Sequence, residues 1–455
     1  MNHLNMIDPA WAWSPYESGS GNDWSAKQCG HLARRAGFGA SSNELEQFAA
    51  QSPADLVHQL VNNRSETEAQ QKEYQELARS VLATGDAKNL TSRWIHRLLN
   101  TPDQLREKTT LFWHGHFATS AEKVTDPVLM LQQNELLRKN ALGDFGEMLH
   151  EISRDPAMLI YLDSVTNRKN HPNENFSREI MELFCLGEGN YTEKDIRELA
   201  KCFTGWEIKQ RRYRFNKYQH DYGSKTIFGK SGDFTGDDGV DIVLEQPSGP
   251  EFIVTKLIRF FLFDEPIPPA SLVKPLAKQL RNNGWQIGPV IETMLTSKLF
   301  YSDKVIAQKI RSPVEFSLGL LRCLEGTTNI LELTTDLNDL GQTLFFPPNV
   351  KGWDGGRAWI NSSTMLARAN LVRKMLDRKQ TRFAGGGLVD LCDKHQLKKP
   401  EQIVNWLQKM LLAVELPADV RKTLERKIDS GKGNREQRLR NALHMICTLP
   451  EYQLA

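Results

Sequence analysis

NENFSREIMELFCLGEGNYTEKDIRELAKCFTGW, Asn173 to Trp206, sets the fold class. Its apolar side chains Phe176, Ile180 and Leu183 recur in steps of four and three, the period of one buried helix stripe. Thr192 followed by Asp195 has the form of a capping box with Asp in place of Glu, which starts another helix. The same punctuation extends on both sides. Ser52 before Pro53, Thr101 before Pro102, Asp126 before Pro127 and Asp155 before Pro156 each set an N-cap residue ahead of a proline at the first helical position. Apolar residues then follow at helical spacing, as in Leu56, Leu60 and Val61, or Leu129, Leu136 and Leu137. About ten helices and no convincing strand are expected between Ser25 and Gly205.

The stretch from Trp206 to Asp241 breaks this pattern with aromatics, basic residues and glycines. Alternation of Ile208, Tyr213 and Phe215 permits a short strand pair or a long ordered loop. Helices resume at Val240 and run to Arg378, interrupted by FFPPNVKGWDGGRAWINSS, Phe345 to Ser363. The expected fold is therefore all-α: a large multi-helix domain with an irregular or short-β insertion around 206–240 and a C-terminal helical subdomain. Residues 1–23 read as an irregular arm whose Trp11, Trp13 and Tyr16 pack onto the body. Residues 24–383 read as the main helical domain. AGGG at Ala384 to Gly387 reads as a hinge before the subdomain 384–455.

The composition is that of an ordinary globular chain, with 455 residues, 40% hydrophobic and 25% charged, which excludes disorder, collagen and coiled coil. Lys and Arg number 58 against 56 Asp and Glu, a formal +2, so a sequence-independent grip on nucleic acid is not expected. Six scattered cysteines without C-x-x-C read as reduced, buried thiols. No signal-peptide pattern opens the chain and no apolar run is long enough to span a bilayer, so a cytoplasmic protein with no membrane span is expected.

Four groups of residues could carry chemistry. The first is LFWHGHF, where His114 and His116 end a helix. On a continued helix they point about 200° apart and could not share a metal; on an end unwound at Gly115 they could. Otherwise one histidine caps the helix and the other packs on Trp113. The second is the 171–189 segment, where Glu174, Arg178 and Glu182 stand at i+4 steps and Glu179 adjoins Glu182. Such carboxylates could hold a cation or act as an acid and base, or form only a surface salt-bridge ladder. The third is His220 with Asp221, near the oxygen-rich run Asp233, Asp237, Asp238 and Asp241, which lacks the EF-hand pattern. The fourth is the glycine-rich loop with Trp353, Asp354, Arg357 and Trp359, equipped to stack on a flat ligand and bond its rim, or to staple two helices.

In order along the chain, HLARRAGFGAS at 31–41, FWHGHF at 112–117, the 173–206 segment, KTIFG at 225–229, LGQTLFFPPNVKGWDGG at 340–356 and INSSTMLARAN at 360–370 resemble the large bacterial family catalogued as domain of unknown function 1800. The resemblance implies no catalytic residues. It implies a partner, since genes of this family often neighbour a family similar to alkaline phosphatases and sulfatases, whose members carry export signals. From the residues themselves the expectation is a metal-dependent enzyme acting on a sugar or phosphate ester. His114, His116 and Glu179 would hold a divalent metal of the zinc, manganese or iron kind; Glu179, Glu182, His220 and Asp221 would be catalytic; Arg178, Trp353, Asp354, Arg357 and Trp359 would bind substrate. The alternative is a non-catalytic helical scaffold that binds a protein partner through the tryptophan-rich loop.

Overall fold

The structure, a computed structural model, describes residues 3–17, 19, 24–62 and 66–455; the rest of the N-terminal arm lies outside the described residues. Helices open where the caps predicted them. Ser52 Oγ accepts from the Asp55 amide ahead of the helix Pro53–Asn62, and Asp126 and Asp155 cap the helices Pro127–Asn140 and Pro156–Tyr161. Thr192 and Asp195 form a reciprocal capping box on Glu193–Cys202. One start is displaced: the helix Gln104–His116 begins after Asp103 rather than at Pro102. The arm is less irregular than expected, since Asp8 caps a short helix, Pro9–Trp13. Trp13 donates to the Leu272 carbonyl at 3.0 Å and Tyr16 lies 4.6 Å from Tyr301, whereas Trp11 stays exposed.

The only sheets among the described residues are three antiparallel pairs of two strands. Trp206–Lys209 pairs with Arg212–Phe215 across a turn in which Gln210 and Arg211 both take positive φ, the twist a two-residue hairpin needs. Lys225–Ile227 pairs with Lys230–Gly232. Helix resumes at Gly236, four residues before the expected point, under a capping box of Thr235 and Asp238. The acidic run is consequently not a cation loop: Asp238 caps, Asp241 pairs with His150 at 2.9 Å, Asp237 pairs with Arg154, and Asp233 pairs with Lys225 at 3.2 Å. The AGGG segment turns tightly after the third strand pair, Gly326–Thr327 with Arg382–Phe383, and the Ala384 amide bonds to the Glu325 carbonyl at 3.0 Å.

Two large apolar clusters fill the interior. One joins the arm, the segment 137–206 and the helices of 240–305; the other joins Ala26–Ala36, Lys88–Asn100, Pro313–Cys323 and the helices after residue 362, including those of the C-terminal segment. The helix Gln104–His116 serves both, giving Phe112 and Trp113 to the first and Leu111 to the second. All six cysteines are free and buried. No helix among the described residues is long and apolar enough to cross a membrane.

Candidate functional site

The helix that ends in WHGH stays helical through His116, so its two histidines diverge. His114 Nε2 accepts from the Phe345 amide at 3.0 Å, and its ring lies 5.7 Å from that of Trp353. Burial alone pushes the His114 imidazole down to about 3. The close approach needs glycine in the loop: a Cβ on Gly352, whose φ is +78°, would sit 2.2 Å from the Gly115 carbonyl oxygen. The glycine-rich loop is thereby seated directly on the end of the histidine helix.

His116 faces the opposite way, toward the second motif. There the helix Asn175–Glu179 widens into a π-helix, Ile180–Cys185, closed by a bond of 3.0 Å from the Leu186 amide to the Met181 carbonyl. Such widening leaves carbonyls free to bond sideways and is frequent at functional sites. His116 Nε2 donates to the Phe184 carbonyl at 2.9 Å, and Lys256 Nζ donates to the Leu183 carbonyl at 3.0 Å and to His116 Nδ1 at 3.1 Å. Burial first, then the Lys256 charge, hold His116 well below the ordinary imidazole range. Burial, with Arg259 nearby, pushes the Lys256 amine down to about 8.

His116, Lys256 and Arg259 line a cleft of about 200 Å³ where the end of the histidine helix and the glycine-rich loop meet the helix Ser248–Phe261. Leu111, Phe112, Phe260, Trp353 and Trp359 give it apolar and aromatic walls. Its polar lining includes Lys256, Arg259, Lys309, Lys351, Asp264, Glu315 and Asp354. Asp264 is engaged by Lys309 at 2.7 Å and Glu315 by Lys108; the Lys108 and Lys309 charges bring Glu315 down to about 2 against the opposite pull of burial. Lys256, Arg259 and Lys351 have no carboxylate in ion-pair contact among the described residues, and opposite them stands one carboxylate without a cation, Asp354. The lining is therefore cationic.

The remaining expected residues fall elsewhere. Glu182 accepts from the Tyr191 hydroxyl at 2.7 Å, and Arg178 grips Glu193 through two bonds of 2.8 Å. Glu179 is raised by burial first and then by the Glu182 charge, with Arg178 and Lys351 pulling it down, and it is not among the residues that line the cleft. His220 is buried against the Thr204 carbonyl at 2.9 Å and Asp221 binds the Gly223 amide at 2.7 Å, so both fasten the insertion rather than face the cleft. Arg357 pairs with Glu265 at 2.9 Å and is largely exposed. Trp353, Asp354 and Trp359 do line the cleft, and Trp353 donates to the Gly341 carbonyl at 3.1 Å. Among the described residues no three His, Cys, Asp or Glu side chains are grouped to hold a metal ion, and His114 and His116 each bond to backbone. The set His114, His116 and Glu179 does not fit a metal centre.

Two of the segments that carry the family resemblance thus line the cleft, through Phe112 to His116 and Lys351 to Gly355, and most of the rest of its wall comes from Lys256 to Asp264 and Lys309 to Glu315. A family model described as a protein of unknown function, DUF1800, matches residues 31–454. The chain belongs to the DUF1800 family. No curated protein and no solved structure matches it. Within the DUF1800 chain, sequence reading missed Lys256, Arg259 and Lys309. A signal for the first two existed: they stand three apart on one helix face with no acid three or four residues away on either side.

Proposed function

We propose that the cleft is the substrate site of an enzyme acting on a small anionic sugar derivative, of the phosphate-ester kind, without a protein-bound metal. The observation that carries this reading is the charge imbalance: three cations without carboxylate partners against Asp354, beneath tryptophan faces. Ammonium and guanidinium groups beside low-dielectric walls attract phosphate or carboxylate oxygens, and an indole face suits the apolar side of a sugar ring. Lys351 on the loop and Arg259 on the helix stand as the outer contacts, with Lys256 deeper.

The test is a melting-temperature titration at constant ionic strength with glucose 6-phosphate, inorganic phosphate and glucose. The first should raise the melting temperature most, phosphate less, and glucose least, since a ligand that binds only the folded chain stabilises it by mass action. EDTA should leave all three responses unchanged. Equal responses to glucose and glucose 6-phosphate, or abolition of the response by EDTA, would overturn the reading. No response to either anion would favour the scaffold alternative.

A further inference from the structure

Lys256 differs from the other cleft cations in its immediate partners. Its nitrogen touches two acceptors and one ring face, all neutral: His116 Nδ1 at 3.1 Å, the Leu183 carbonyl at 3.0 Å, and the Phe252 ring with its centroid 4.7 Å away. The His116 tautomer is fixed from behind, because Nε2 gives its hydrogen to the Phe184 carbonyl at 2.9 Å. Nδ1 is therefore the acceptor and Lys256 the donor. A neutral amine has two N–H bonds and one lone pair. Two N–H bonds find acceptors and the third proton of the ammonium has only the Phe252 face, with no carboxylate in contact among the described residues, so the cation gives up that proton readily and leaves an amine with a free lone pair.

Resting on the reading of the cleft as an anionic-substrate site, we infer that the Lys256 amine condenses with the carbonyl carbon of an aldehyde or ketone borne by that substrate. The nitrogen lone pair forms the C–N bond while the C=O π pair moves to oxygen, which takes up a proton. The nitrogen loses one proton, a second proton reaches the hydroxyl, and the nitrogen pair forms the C=N bond as the C–O bond breaks and water leaves; loss of the last nitrogen proton gives an imine and one water, with no change of oxidation state. Burial that brings the amine down to about 8 supplies free base near neutral pH. The π-helix carbonyl and His116 are positioning groups: they aim the nitrogen without touching the carbon it attacks.

The experiment uses the full chain with glyoxylate, which carries an aldehyde and a carboxylate, and sodium cyanoborohydride to trap the imine, followed by peptide mass mapping. Lys256 should be modified at least about tenfold faster than Lys351, because a lower pKa leaves more of the amine free at neutral pH. Its labelling should reach half its maximum near pH 8. Lys256→Arg should abolish that adduct, since a guanidinium forms no imine. The pH profile of the unaltered chain decides the matter even where the variant folds poorly. Labelling spread over exposed lysines with Lys256 silent, or a Lys256 profile that rises only above pH 10, would overturn the inference. A phosphate response with Lys256 silent removes this inference and keeps the anionic-substrate reading. Rapid Lys256 labelling without any phosphate response does the reverse.

Discussion

The helix Gln104–His116 carries a buried ionic cluster near its start and the cleft at its end, and the two match their charges differently. At the start, Glu107 bonds Arg97 at 3.0 Å, Arg138 at 3.2 Å and the Trp94 indole at 2.8 Å. Arg97 continues to Glu66 at 2.8 Å, while Glu135 receives Arg93 at 2.9 Å and Arg138 at 2.8 Å. Every arginine there meets a glutamate. At the other end Lys256 meets only neutral acceptors, Arg259 donates to the Asp264 backbone carbonyl at 3.3 Å, and neither Arg259 nor Lys351 meets a carboxylate among the described residues. Burying an unmatched charge costs free energy that a purely structural cluster would avoid. Buried Arg35 and Arg368 also lack a carboxylate contact among the described residues and are held by carbonyls, so the mismatch points to a site only where, as at this end, it lines an open cleft.

The largest expected effect breaks the matched end. Glu107→Ala leaves Arg138 with Glu135 and Arg97 with Glu66, removes the buried carboxylate they share and orphans the Trp94 N–H, and should lower unfolding stability by about 3 kcal/mol. Urea unfolding measures it, and a loss below about 1 kcal/mol would mean that the cluster relaxes onto water. Burial alone would raise the Glu107 carboxyl, but Arg138 and Arg97 hold it below its ordinary range. Similar pairing takes Glu135 and Glu315 down to about 2. Carboxyls depressed in the fold contribute stability above their unfolded pKa, near 4.5, that is lost as pH falls toward 2. Acid unfolding should therefore begin below pH 4.5 and be largely complete near 2.

The cleft end should respond at the opposite side of the pH scale and more weakly. Lys256 is lowered from 10.5 to about 8, so between those values the unfolded chain binds more protons than the folded one. Stability contributed by this group rises with pH across that window. Lys256→Met should flatten the rise, leave stability at neutral pH unchanged or slightly higher, and remove the melting response to glucose 6-phosphate. A destabilisation as large as that of Glu107→Ala would show that Lys256 belongs to the scaffold after all.

The same contrast explains what the residue order reveals. Caps are local, so Asp126, Asp155 and the Thr192 and Asp195 box announced their helices directly. The glycine-rich loop and WHGH were both legible, and they do meet. Their partner was hidden because Lys256 rides a helix of Ile253, Val254, Leu257 and Ile258, whose periodicity speaks only of core. The π-helix was hidden for another reason. An extra residue per turn shifts the phase after Ile180, so Glu182 leaves the stripe assumed from i+4 spacing and turns to Tyr191 instead of Arg178. His220 looked available in a loop rich in polar residues, yet it is 2% exposed and holds the Thr204 carbonyl. No local pattern separates a buried staple from a solvated histidine.

The smallest expected effect tests where the cleft stops. Arg178 has the residue type and motif position of a substrate contact, but its guanidinium forks onto Glu193 with two bonds of 2.8 Å at the surface. Water and salt screen such a pair, and the two long side chains lose rotamer freedom in holding it. Arg178→Ala should therefore leave the melting temperature and the glucose 6-phosphate response at wild-type values, in low and in high salt. Lys351→Ala, on the loop beside Trp353, should weaken that response while barely moving the melting temperature, because Lys351 is exposed and without an acid in contact. If instead Arg178→Ala weakens ligand binding as much as Lys351→Ala does, the acidic helix face joins the site. Glu179, whose carboxyl feels the charges of Glu182, Arg178 and Lys351, would then be the next residue to substitute.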